Sequence, residues 1–210
     1  MTAPLLHLQE KSQRELMKAL QSMFDKADDA LFELAEKAQS NSEQNLYFES
    51  MREVRLKRRQ IENNFASGLR EGFTALFENS AAADGSDSNA DENELSVMEN
   101  DAVEEMVAVD SMVAKAEKRH SDALTALNAR IEHLAHLPVS AANSPLGPRV
   151  ICHAFSDACF MLSIDIKSRL VLFKLFDMYV VTAFDALYST CNETLIANNV
   201  LPRLQRGSTK

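Results

Sequence analysis

At 210 residues, with 46% hydrophobic and 25% charged positions, the chain can bury a core without help from disulfides or metals. Its formal net charge of -9 excludes non-specific attachment to DNA or RNA as a default role. Five Gly, five Pro and nine Met describe a helix-favouring composition. The three cysteines, Cys152, Cys159 and Cys191, all sit within apolar helical patterns and point to reduced, buried thiols of a cytosolic protein.

The start, residues 1–7 (MTAPLLH), has neither a basic segment nor a continuous apolar one, so no secretory signal is expected. Leu16, Leu20, Met23, Phe24, Ala27, Leu31, Leu34 and Ala38 then recur every three or four positions. That spacing predicts a helix over about 3–39, with Met23 the point at which it could break. A polar stretch at 40–44 ends it, and Ser40 or Asn41 can cap the next helix. This second helix is predicted over about 42–78, on the stripe Met51, Val54, Ile61, Phe65, Leu69, Phe73 and Phe77. Two long helices joined by a short polar turn pair antiparallel. Gly68 and Gly72, one turn apart, leave room for a third helix to come close.

Residues 79–93 hold no large apolar side chain and cannot offset the entropy of ordering, so 79–94 reads as an acidic flexible linker. A third helix is predicted from about 100 to 137, with Val103, Met106, Val107, Val113, Ala116, His120, Leu124, Leu127, Ile131 and Leu134 along one side. Its acidic first turn suits the positive end of the helix dipole, and Pro138 lies just past its end. The run 143–148 (NSPLGP) is a strong turn signal, and Pro148 can open a fourth helix carrying Ile151, Phe155, Ala158, Cys159 and Leu162 inward. A turn at 163–167 leads to a fifth helix over about 165–197, apolar nearly all round. Lys174, Asp177 and Asp185 interrupt its most apolar window, so it reads as a core helix and not a membrane span. The expected fold is therefore all-α: a helical bundle with an N-terminal antiparallel hairpin over 1–78, a C-terminal three-helix unit over 95–204 and a disordered tail at 205–210. Periodicity leaves open whether the hairpin docks on that unit.

The most distinctive chemistry is the segment 52–59 (REVRLKRR), in which Arg52, Arg55, Lys57, Arg58 and Arg59 are basic. On a helix Arg52, Arg55 and Arg59 share one face. They suit an anionic surface or acidic segment of a protein partner, with self-association as a further expectation. The alternative is a nucleic-acid or nucleotide-linked regulator using the same helix; the absence of interleaved aromatics weighs against it. The bland reading is a solvated face whose charges pair with Glu49, Glu53 and Glu62. A basic-free run from 71 to 114 contains twelve acidic residues and could contact the cationic segment in the same molecule or in a second copy, or simply be a linker followed by an acidic helix start.

Other constellations are weaker. His133 and His136 are three apart, a spacing that can serve one metal, and Cys152-His153 with Cys159 is a second grouping. Neighbours on a helix project about 100° apart, which argues against a Cys152–His153 catalytic pair. Gly-rich phosphate loops and the nucleophile elbow are absent from the sequence. The chain is read as a non-enzymatic, cytoplasmic regulatory module with no cofactor, no metal and no membrane association.

Residues 27–38 (ADDALFELAEKA), 47–55 (YFESMREVR) and 143–148 (NSPLGP), continuing into 151–155 (ICHAF) and 172–177 (LFKLFD), together resemble a proteobacterial family known as DUF1631, a domain of unknown function. The resemblance runs over most of the chain. It implies the N-terminal portion of a longer bacterial cytoplasmic protein with a regulatory role, and it carries no residue roles across.

Overall fold

A computed structural model describes residues 2–82 and 100–204, with side chains over 2–78 and 101–204. The described residues form seven α-helices and no strand: α1 (Ala3–Lys37), α2 (Asn41–Ala82), α3 (Asn100–Arg119), α4 (Ser121–Ala135), α5 (Pro148–Cys159), α6 (Ile166–Tyr179) and α7 (Phe184–Ala197). The expected linker at 79–94 and tail at 205–210 lie largely or wholly outside the described residues.

Helix α1 runs unbroken through Met23 and buries Leu5, Leu8, Leu16, Leu20, Met23, Phe24, Ala27, Leu31 and Ala35, one side of a 3.6-residue period. The turn into α2 is closed by reciprocal capping: Ser40 Oγ accepts from the Glu43 amide and the Glu43 carboxylate accepts from the Gln39 amide, both at 3.2 Å. The two helices then pair antiparallel, with α2 laid along α1.

Two helices expected to be single are broken. The predicted third helix bends at His120, whose backbone leaves helical geometry at φ -109°, ψ 16°, dividing it into α3 and α4. The His120 ring is buried against Phe184 and Tyr188, and its Nδ1 lies 3.0 Å from Asp185. Seating that ring on α7 requires the bend. The predicted fifth helix divides at Val180, where a 3-10 turn (Val181–Ala183) separates α6 from α7. A helix apolar on every side cannot bury all of itself against one layer. Divided there, α6 packs on α1 and α3 while α7 packs on α1 and α4.

The hairpin docks on the later helices, and all seven share one continuous core. Helix α5 lies against α2 at the two glycines: a Cβ at Gly68 would stand 2.9 Å from Ala154 Cβ, and one at Gly72 would stand 2.6 Å from Val150 Cγ1. Both distances are below van der Waals contact, so the approach exists because the side chains do not. Next to this seam, Phe155 of α5 stacks on Phe176 of α6 at 4.1 Å between ring centroids, and Phe65 of α2 meets both edge-on at 6.3 and 6.0 Å. Buried hydroxyls join the same layers, Ser50 Oγ donating to Ser168 Oγ at 2.9 Å. Tyr188 of α7 donates to the Leu146 carbonyl at 3.0 Å, which pins the 143–148 turn to the core.

Candidate functional site

The five basic residues of α2 divide by where the helix turns them. Val54 and Ile61 are buried, and the helical turn between them belongs to positions 57 and 58, so Lys57 and Arg58 point inward. Arg58 reaches across to α1, its guanidinium 5.5 Å over the Phe24 ring, with Nη1 2.8 Å from Asp25 and Nε 3.0 Å from Glu62. Lys57 Nζ donates to the Met161 carbonyl at 2.6 Å and pairs with Glu53 at 2.6 Å. Glu53 in turn accepts from the Ser163 amide, and first Lys57, then that amide, hold its carboxyl below the usual range. These two half-buried cations fasten α2 to α1 and to the α5–α6 turn. Arg55 is intermediate in role: exposed, yet donating from Nε to Asp28 of α1 at 2.8 Å.

Arg52 and Arg59 are different. Both are exposed, with no hydrogen-bond or ion-pair partner among the described residues. Leu56 lies between them on the same stripe, two turns of helix in all, and is 70% exposed. Phe160, 82% exposed, stands at the end of α5 beside Met161, whose carbonyl accepts from Lys57. Leu56 and Phe160 are the two most exposed large apolar side chains among the described residues. The partners of the basic segment are Asp25, Asp28, Glu53 and Glu62. None belongs to the acidic run 71–114, of which 83–99 lie outside the described residues.

The other groupings dissolve in three dimensions. His133 is exposed on the last turn of α4, whereas His136 lies past the helix end in left-handed geometry (φ 56°), its ring 6.5 Å from that of His133. No trio of His, Cys, Asp or Glu able to hold a metal occurs among the described residues. Cys152, Cys159 and Cys191 are free and buried. Burial pushes the Cys152 and Cys191 thiols up to about 12 and raises Cys159 as well, leaving them poor nucleophiles. A groove of about 460 Å³ between α4 and the 139–148 loop is lined by Glu117, Thr125, Asn128, Glu132 and Ser140 among others. Arg130, 4% exposed, donates from Nη1 to Asn192 Oδ1 at 2.7 Å and to the Ala126 carbonyl at 3.0 Å, clamping α4 to α7; burial lowers its pKa. No described helix is long and apolar enough to cross a membrane.

Residues 1–199 match the family model described as the N-terminal domain of a protein of unknown function, DUF1631. The chain belongs to this family. Neither the curated proteins nor the solved structures include one that matches it.

Set on the fold, the stretches that resemble DUF1631 each contribute residues to the interior. Ala27, Leu31 and Ala35 line α1; Tyr47, Ser50 and Val54 are buried in α2; 144–148 form the buried turn; Ile151, Cys152, Phe155, Leu172, Phe173 and Phe176 build the aromatic centre. These stretches supply packing, except that 47–55 also carries the exposed Arg52 and Arg55. Leu56 and Phe160 differ in how far the sequence pattern reveals them. A signal exists for Leu56, which sits off the apolar stripe between two arginines, but not for Phe160, whose exposure depends on where α5 stops.

Proposed function

We propose that this DUF1631 domain is a non-enzymatic regulatory module of the bacterial cytoplasm that binds a protein partner through the outer ridge of α2. The observation that carries the reading is the pair Arg52 and Arg59, free of internal partners among the described residues, with Leu56 exposed between them. Helix geometry puts the two guanidinium groups about two turns apart with an apolar anchor midway. That pattern fits an acidic segment presenting one apolar side chain, where the anchor supplies affinity and the arginines supply orientation. A reducing setting agrees with three buried, unpaired thiols. The acidic balance of the whole chain, -9, favours a protein partner over a nucleic acid, because a net negative charge opposes the approach of a phosphate backbone.

The test is affinity capture from a native host lysate with the wild type and with R52E/R59E. A partner recovered by the first and lost by the second, at equal helicity and melting temperature, supports the reading. Equal recovery by both removes the ridge from consideration. Titration against short DNA and RNA duplexes at low salt covers the nucleic-acid alternative, since phosphate binding weakens steeply as salt rises.

A further inference from the structure

The groove of about 460 Å³ on α4 is separate from the ridge of α2, which supplies none of its lining residues. One wall is a stripe of Glu117, Ser121, Thr125, Asn128 and Glu132. These positions are three or four residues apart, as one helical face requires, and they run from the last turn of α3 to the last turn of α4. The other wall is the 139–148 loop, tied to the helices at three points. Ser144 Oγ donates to Asn128 Oδ1 at 2.7 Å, the Val139 amide donates to Glu132 Oε2 at 3.3 Å, and Tyr188 donates to the Leu146 carbonyl at 3.0 Å. A groove held by its own hydrogen bonds is formed before a ligand arrives, and its volume is that of a small-molecule site. Leu124, Ala129, Val139 and Pro148 give it apolar surface. Among the described residues lining it, the charged ones are Glu117 and Glu132, the first and last of the stripe. Neither pairs with a cation among the described residues. The rise of a helix sets these two carboxylates roughly 15–20 Å apart along the groove.

We propose that this groove binds a small linear aliphatic dication, with one ammonium group at Glu117, the other at Glu132 and the methylene chain between them on the apolar lining. Charge selects this ligand over others of its size. An anion meets two carboxylates and no cation, and a neutral chain leaves both carboxylates unmatched. The spacing selects two charges over one, because a single ammonium group reaches one end only. This site is independent of the docking reading of α2 and stands or falls without it.

The test is an NMR titration of the full chain with linear α,ω-diaminoalkanes, from diaminobutane to diaminododecane, and with the monoaminoalkane of each length. The signals followed are the Asn128 side-chain amide and the backbone amides of Ala129 and Ala141, all of which line the groove. Each diamine is compared with the monoamine of equal length, which cancels the gain that a longer chain draws from apolar contact. The affinity ratio should stay near one for short chains and reach at least about threefold once a chain spans both carboxylates, and it should shrink as salt rises. E117Q and E132Q should each return the ratio to near one at unchanged melting temperature; the glutamine at 132 still accepts from the Val139 amide. A141W, at an exposed loop position, should block both amines by filling the groove. Failure of the diamines to shift these signals overturns the proposal, as does a ratio near one at every length or a ratio indifferent to both glutamine variants. Leu201 lies beside Ala129 and Glu132 at one end of the groove, so the chain's own Arg206 and Lys210 are the rival occupants. Diamine binding seen in R206A/K210A and not in the wild type would assign the groove to them and overturn the proposal too.

Discussion

At the residue scale, similar side chains a few positions apart do opposite work. Arg58 and Arg59 are neighbours, yet Arg58 lies over Phe24 between Asp25 and Glu62 while Arg59 faces solvent. R58A should cost about 1–3 kcal/mol, through lost packing of the stem as much as lost charge. R59A should stay within about 0.5 kcal/mol. Urea unfolding of the two variants side by side reads the difference. The distinction is partly legible in the sequence: the stripe of α2 skips seven residues from Val54 to Ile61, and whatever stands midway must face the core. His120 makes a second residue-level case. Burial depresses its pKa; Asp185 pulls the other way, and Arg119 adds to the depression. A depressed folded-state value means that the unfolded chain takes up the proton first. Its contribution is therefore fully present above the unfolded pKa, near 6.5, and is lost as pH falls from there towards the lower folded value. Melting curves of the wild type and H120Q between neutral and mildly acidic pH should converge as pH drops, the wild type losing more. Parallel curves would show that the ring does not titrate as its surroundings require.

At the element scale, α2 and α5 are held closer than two ordinary helices. Replacing a helical glycine by alanine on an open surface stabilises by roughly 0.8–1 kcal/mol. Here the added methyl of G72A meets the stiff Val150 side chain at 2.6 Å and that of G68A meets Ala154 at 2.9 Å. Both variants should instead lose about 1–3 kcal/mol, and V150A placed on the G72A background should return part of that loss. Stabilisation by G72A alone would mean that the seam is looser than its geometry. The glycine pair announces a close approach in sequence, though not which helix makes it. Helix breaks are harder to read. The chain keeps its apolar spacing through His120 and through Val180, and neither place carries Gly or Pro. Those bends are imposed by partners, the Asp185–Phe184–Tyr188 cluster in one case and the need to bury two sides of an apolar run in the other. A periodicity reports that a face is covered; it does not report what covers it.

At the scale of the whole molecule, the hairpin and the later helices share one core and should unfold together. Phe155 touches Phe65 of α2 and Phe173 and Phe176 of α6, so F155A should cost about 3–5 kcal/mol and lower a single transition without splitting it. The cysteines report the same property: Cys152 and Cys159 sit in α5 and Cys191 in α7, all buried. An aromatic disulfide reagent should label the three at one common, slow rate set by global unfolding. Fast labelling of Cys191 alone would mean that α7 opens by itself. The all-helical class is legible because the stripes are long and regular, and the cationic segment because its composition is biased; the division of that segment into fastenings and a free ridge requires the α1 and α5–α6 partners. The placement of α1 has its own consequence. One flank is covered by α2, its immediate successor in the chain, but the other rests on α6 and α7, with Lys11 donating to Thr194 across 183 positions of chain. During synthesis α1 leaves the ribosome with an oily flank that is not fully covered until α7 arrives. Nascent chains ending before Phe184 should therefore bind holding chaperones or aggregate, and releasing them early should yield no smaller folded product.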